Sequence, residues 1–507
     1  MSWEFLAGQF AQQFGLWWII WPAILLGIVV GILPGFSPQN TLIMLLPLTL
    51  AVPVEQALAF MIALYCANHL AGGIPAILVK IPGSGGAAAT TLDGYPMTKK
   101  GQAQQALVLC FTASVFGGLI TTLATLALLP WLSKMGLYLR SVEMVVVMLF
   151  GLTLIAVIAA KDFLKGMIAG FFGLLLGVIG TDHIYNTPRA TFGFLELYDG
   201  VPIVPALIGL FAISEALVMI EEKMIVSDEG RQKAASAQWA GIVDGLRLSV
   251  KHWWQIVWTA FVGLFIGIVP GAGASIASFV AYQQSRLWSK HPEKYGTGIP
   301  EGVIAPESAN NGVTSGTLVP TLALGVPGGS TAAVMMIVLQ YHGLVMGPRL
   351  FATNPEVAYG VFVSMAVAYI FMIFTILPLA RYFSRIVLIE TSYLAPVIIL
   401  VTIVAAFGER QYAFDMALAL IFGVIGYLAQ KTNYHVTAIL IGVILGPLFE
   451  EYLVRALRLS EGDPSILFSS TLGNVLWALL ALSLLLPAWR GWRRAKAVAD
   501  AQFREED

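Results

Sequence analysis

The residues best able to do chemistry in this chain of 507 residues are small neutral oxygens set beside breaks in apolar sequence. One group runs Ser37, Gln39, Asn40 and Thr41, then Asn68, then Ser84, Thr90 and Thr91. A second runs Ser275 and Ser278, then Asn310 and Asn311, then Thr314, Ser315, Thr317, Ser330 and Thr331. Hydroxyl and carboxamide oxygens, joined by backbone carbonyls freed at a helix break, are ligands for a hard monovalent cation such as sodium. Helix N-termini add N–H groups and a positive dipole end, which suit a carboxylate. The competing reading is packing alone, because Gly, Ala, Ser and Thr let helix backbones approach in membranes.

The elements that must position these groups are interrupted helices, and the interruptions occur twice. Gly31-Ile32-Leu33-Pro34-Gly35 is matched by Gly267-Ile268-Val269-Pro270-Gly271. Further along each half, the run from Pro75 to Ile81-Pro82-Gly83-Ser84 is matched by the run from Pro320 to Val326-Pro327-Gly328-Gly329. Pro and Gly break helices, and lipid offers the freed peptide groups no partner. Such breaks persist where they are buried in protein or line a wet cavity, so a matched pair points to a transporter site near the bilayer midplane. The candidate substrate surface is Pro34, Gly35, Ser37, Asn40, Lys80, Pro82, Gly83, Ser84 and Gly85, with Gly271, Gly273, Ser275, Pro327, Gly328, Gly329 and Ser330 opposite. The candidate cation ligands are Asn68, Thr90, Glu307, Asn310, Asn311, Thr317 and Thr331. About seven spans separate the two Pro-Gly breaks, and an odd number predicts two repeats of inverted topology.

Ionisable groups in apolar runs are costly and mark function or pairing. Lys80 stands beside the first hairpin, where it either meets a substrate carboxylate, replaces a cation, snorkels to water, or pairs with Asp93. Asp93 precedes Gly94-Tyr95-Pro96 and reads as a cap or turn residue at the cytoplasmic surface. Glu307 precedes the Asn pair and either binds a cation, carries a proton, or pairs with a basic side chain. His69 matches Asn311 in depth and reads as a hydrogen-bonded polar residue.

Composition sets the class. The chain is 58% hydrophobic and 11% charged, with a mean hydropathy of +0.81. Soluble domains carry roughly 25% charged residues, so this is an all-α polytopic membrane protein with about 11–14 spanning helices. A net charge of −1 excludes a nucleic-acid surface. Cys66 and Cys110 form neither a disulfide framework nor a metal-ligand spacing. Residues 1–15 predict an interfacial helix through Trp3, Leu6, Phe10 and Phe14, or else the start of the first span, and no basic signal region is expected there. Residues 16–221 and 253–489 form the two repeats, and the mixed-charge stretch 222–252 links them. Trp489, Arg490, Trp492, Arg493, Arg494 and Lys496 place the tail 490–507 in the cytoplasm.

Several long motifs carry a family resemblance. Gly31–Gly35, Ile81-Pro82-Gly83-Ser84-Gly85-Gly86-Ala87-Ala88-Ala89-Thr90, Asp93-Gly94-Tyr95-Pro96-Met97, Val269-Pro270-Gly271-Ala272-Gly273-Ala274, Lys290–Gly296 and Glu301–Asn311 resemble the large (TctA-type) membrane subunit of tripartite tricarboxylate transporters. The resemblance covers nearly the whole chain. It implies a bacterial inner-membrane permease working with a small four-helix membrane subunit and a periplasmic binding protein that delivers a citrate-like di- or tricarboxylate. It also implies elevator-type secondary transport coupled to sodium or to a proton, with no other metal or cofactor. Two departures fall in the first half: Lys80 stands where a small polar residue is usual, and Cys66-Ala67-Asn68-His69-Leu70-Ala71-Gly72-Gly73 replaces an aromatic-rich stretch.

Two other classes compete with this reading. A passive channel with two re-entrant filters fits the same breaks. A membrane enzyme does not, since no Gly-x-Ser-x-Gly elbow, His-Glu-x-x-His pair or phosphate loop is present.

Overall fold

A computed structural model describes residues 3–33, 36–49, 52–136, 140–149, 163–181, 187–221, 239–269, 273–347, 349–379 and 394–482. Helix dominates, as lipid requires of a chain that must satisfy its peptide groups internally. The one ladder among the described residues pairs Gly180–Thr181 with Pro188–Arg189.

The labelled helices in chain order are α1 Trp3–Gly15, α2 Trp17–Gly31, α3 Pro38–Leu45, α4 Val54–Ala71, α5 Gly73–Val79, α6 Thr91–Lys99, α7 Ala103–Gly136 and α8 Phe163–Gly177. There follow α9 Ile203–Leu207, α10 Ser214–Glu221, α11 Trp239–Lys251, α12 Trp253–Ile268, α13 Gly273–Trp288, α14 Pro300–Leu324 and α15 Ser330–Tyr341. The last are α16 Leu350–Thr353, α17 Pro355–Leu379, α18 Leu394–Arg410, α19 Ala413–Lys431 and α20 Val436–Leu459.

The chain forms two compact units, one of Met1–Leu137 with Pro202–Ala429 and the other of Tyr138–Val201 with Gln430–Asp507. In the first, α14 is central: it packs on α12, α7, α13 and α4, and is buried without interruption from Gly302 to Ala323. Small residues permit this. A Cβ on Gly263 or Gly312 would collide with the backbone of Ala309 or Ala260 in the facing helix. The α2–α4 pair is built alike, with Gly27 and Gly31 against Ala67 and Ala71. In the second unit α8 and α20 pack through Gly173, Gly177, Gly442 and Gly446, and Arg189 grips Glu450 of α20 bidentately at 2.5 and 2.9 Å.

Five described helical stretches are long and apolar enough to cross a bilayer: Val54–Val79, Ala103–Trp131, Pro355–Ile376, Ala413–Lys431 and Val436–Leu459. The pair α1–α2, bent by 65°, makes a sixth when taken as one. Leu164–Gly177, Ile203–Val218, Trp253–Ile268, Ser330–Tyr341 and Thr471–Leu482 are apolar but shorter. Length and composition therefore mark five or six spans among the described residues, against the expected 11–14. Other expected spans fall on shorter or broken helices; those drawn across residues 150–162, 380–393 and 483–489 lie partly outside the described residues, and the tail 490–507 lies outside them. Residues 222–238 lie outside too, while the rest of the expected linker is α11, packed on α7 with Thr112 and Ser249 hydroxyls 2.5 Å apart. Helix α1 turns Gln9 and Gln13 inward, and Ser364 of α17 donates to Gln13 at 2.7 Å.

Candidate functional site

The first hairpin begins where α4 breaks at Gly72 and restarts as α5. Helix α5 ends at Lys80, whose backbone is left-handed at φ 63° and ψ 19°. For a residue other than glycine this conformation costs roughly 1–2 kcal/mol. The Ile81 N–H turns back to the Pro75 carbonyl at 3.4 Å, and the Gly83 N–H donates to the Gly72 carbonyl at 3.0 Å. A Cβ on Gly83 would lie 2.8 Å from Gly72 Cα and 2.9 Å from the Gly31 carbonyl oxygen, so only glycine fits. After the single turn Gly85–Ala87 the chain enters α6.

The second hairpin follows the same course. Helix α14 ends at Gly325, left-handed at φ 70° and ψ 20°. The Val326 N–H turns back to the Pro320 carbonyl at 3.3 Å, and the Gly328 N–H donates to Thr321 Oγ1 at 3.2 Å. A Cβ on Gly328 would lie 2.5 Å from the Thr317 carbonyl oxygen. Lys80, Ile81 and Gly83 thus correspond in geometry to Gly325, Val326 and Gly328. Helix α15 then starts at Ser330 with Gly329 extended before it and no side chain capping its first N–H groups.

Around the first hairpin the polar atoms gather and are incompletely paired. Asn68 Nδ2 donates to Thr41 Oγ1 of α3 at 2.7 Å, while Asn68 Oδ1 has no hydrogen-bond partner. Ser84 Oγ, over the Gly72 break, has none either, and nor does Ser37 Oγ at the start of α3. All three oxygens are buried. A buried oxygen without a donor is costly, and a bound ion is one of its standard explanations. Asn40 is buried on the same short helix, and Pro82 is half-buried.

Glu307 forms a second cluster. Thr90 Oγ1 donates to its Oε1 at 2.5 Å and Ser114 Oγ to its Oε2 at 3.0 Å, and all three residues are fully buried. No Lys or Arg pairs with Glu307 among the described residues, so hydroxyls take the place of the basic partner considered from sequence. Gly73 leaves the space that Glu307 Oε1 fills.

The remaining second-half candidates are engaged by protein. Asn310 Oδ1 lies 3.2 Å from His69 Nδ1, and Asn310 Nδ2 donates to the His69 carbonyl at 3.1 Å. Asn311 Nδ2 donates to the Glu307 carbonyl at 3.2 Å. Thr317 and Tyr65 hydroxyls are 3.1 Å apart. Gly85 and Gly86 abut Ser275 and Asn310, so the first hairpin packs onto second-half residues. Gly273 begins α13 with φ +63°. Pro327 and Thr331 are buried, and Ser330 is half-buried. Pro34, Gly35 and Gly271 lie outside the described residues.

Asp93 is structural, as read, but deeply buried. It accepts from the Tyr282 hydroxyl at 2.8 Å and from the N–H groups of Gly296, Gly298 and Ile299 at 2.7–3.0 Å, clasping the loop before α14. Those donors stand where the alternative pairing with Lys80 would have been. Sequence reasoning missed Ser114 and Tyr65: a lone hydroxyl in a long apolar helix reads as packing until its partner across the bundle is known. No group of three or more His, Cys, Asp or Glu residues that could hold a metal is present among the described residues.

The model of the tripartite tricarboxylate transporter TctA family matches residues 17–441. An uncharacterized 52.8 kDa protein in the TAR-I ttuC' 3' region of Agrobacterium vitis is 31% identical over 478 residues, 93% of this chain and 92% of the relative. An uncharacterized protein in the TAR-II ttuC' 3' region of the same organism is 30% identical over 241 residues, 47% of this chain and all of the relative. No solved structure matches.

Proposed function

Because the chain belongs to the tripartite tricarboxylate transporter TctA family, we propose that it is the large permease subunit of a three-part secondary transporter importing organic di- or tricarboxylates. It sits in the bacterial inner membrane with its C-terminus in the cytoplasm. Its partners are a small four-helix membrane subunit and a periplasmic binding protein. Sodium, or a proton in its place, drives uptake, and the movement is elevator-like. The observation that carries the ion-coupled reading is the presence of buried, unpartnered oxygens on Ser84 over Gly72, on Asn68 one helical turn before it, and on Ser37 at the start of α3. Neutral oxygens with freed carbonyls favour sodium over a divalent ion. The uncapped start of α15 beside Gly328 and Gly329 offers N–H groups to a carboxylate. The matched geometry of the two hairpins supports two related halves, and with an odd number of intervening spans they would be inverted.

Uptake by the reconstituted three-part system tests this reading. Proteoliposomes are offered citrate-like, aromatic and short dicarboxylic acids with and without an imposed sodium gradient. Accumulation that requires both the gradient and the binding protein is expected. Flux that needs neither would replace the transporter with a channel.

A further inference from the structure

We propose that Lys80 selects the charge class of the substrate: its ammonium binds a second carboxylate of the transported anion, favouring multiply charged acids over monocarboxylates. This rests on the carboxylate-uptake reading and adds the residue that would discriminate within it. Lys80 is the last residue before the Ile81–Ser84 turn, so its backbone belongs to the hairpin that carries Gly83 and Ser84. The side chain is exposed, and no acid or carbonyl takes its charge among the described residues. Asp93, the nearest acid in sequence, is engaged by Tyr282 and three backbone N–H groups instead.

The backbone makes the side chain's presence informative. At the corresponding turn of the second hairpin the residue is Gly325, with φ 70° and ψ 20° against 63° and 19° at Lys80. Glycine adopts this conformation freely, whereas a lysine is strained there. Strain retained at a hairpin tip, where the matching turn avoids it, points to a use for the side chain. That use is anion binding, because the ammonium is exposed while the oxygens of Asn68 and Ser84 remain buried and without a donor. A lysine substituting for the cation would have paired with them. The two tips therefore differ, with a lysine side chain at the turn of one hairpin and glycine at the matching position of the other. An acid with two or three carboxylates complements that arrangement, and a monocarboxylate leaves the ammonium unused.

The test compares the full-length chain with K80G, K80N and K80R in the three-part system, using citrate, succinate and butyrate as probes. Glycine and asparagine accept the left-handed backbone, so loss of folding does not confound the result. K80G is expected to melt at or above the temperature of the parent, since the strain is removed. Half-saturating citrate and succinate should rise about tenfold or more in K80G and K80N, with butyrate unchanged, and K80R should stay within about threefold of the parent. Ligand-dependent melting of the purified chain gives the same comparison without the binding protein. Unchanged citrate and succinate affinity in K80G, or an equal loss for butyrate, overturns the assignment. If the parent chain neither transports nor is stabilised by any of the three acids, the carboxylate reading itself fails and this inference falls with it.

Discussion

Thr90 donates its hydroxyl proton to Glu307 across 2.5 Å, joining the segment that leaves the first hairpin to the central helix of the other half. Ser114 holds the second carboxyl oxygen from α7 at 3.0 Å, so one fully buried acid ties three elements together. Replacing Glu307 by Ala would leave two buried hydroxyls without their acceptor and open a void. A loss of about 2–4 kcal/mol is expected, read as a fall in melting temperature. Gln can accept from Thr90 and donate to Ser114, so E307Q should lose less than half as much. Equal losses in both variants would mean that shape alone matters at this position.

Ser84 and Asn68 make the opposite case. Neither Ser84 Oγ nor Asn68 Oδ1 bonds to protein, so removing the Ser84 hydroxyl breaks nothing within the fold. S84A should therefore melt within about 0.5 kcal/mol of the parent in sodium-free buffer, or slightly above it. The sodium concentration for half-maximal uptake should rise about fivefold or more. A sodium response identical to the parent's would remove this oxygen from the cation site.

The hairpin glycines are expected to be intolerant for a steric reason. G83A would press a methyl group within 2.8 Å of Gly72 Cα, and G328A within 2.5 Å of the Thr317 carbonyl oxygen. Both neighbours are backbone and cannot swing aside. Each substitution should lower stability by about 1–3 kcal/mol and reduce uptake at least tenfold. Parent-like uptake in both would show that the turns can widen without consequence for transport.

Asp93 organises a loop rather than a substrate. D93N keeps the volume but replaces one acceptor oxygen by a donor, facing the N–H groups of Gly296, Gly298 and Ile299. A destabilisation of about 2–4 kcal/mol is expected, with faster proteolysis within residues 289–299. Unaltered substrate affinity in the surviving folded fraction would separate this residue from the hairpins.

How far the sequence speaks depends on whether the signal is local. Pro82-Gly83 and Pro327-Gly328 announce a turn through their own backbone preferences, and both are turns in the structure. Asn68 lies one helical turn before Gly72 and Ser84 packs over Gly72, so a short stretch of chain brings each to this hairpin. Asn310 is different. Its type says that it is polar and needs partners, but its partner His69 belongs to the other half, and no local rule pairs them. Ser114 is hidden for the same reason, since a hydroxyl in a long helix can satisfy itself on the preceding turn. Gly72 looks like a packing glycine, and only its bond to Gly83 marks it as a helix break. The span count suffers from interruption: a helix as short as α12, about 24 Å long, carries a strong apolar signal without the length of an ordinary crossing.

One arrangement bears on how this molecule can move. The turn Gly85–Ala87 packs on the helix that opens with Gly273, while α15 packs on α3 and α4. Each bend rests on its own half, Gly83 on Gly72 and Gly328 on Thr317, and is also covered by material from the other. Pulling one bend alone away from its surroundings would therefore strip packing that both halves contribute.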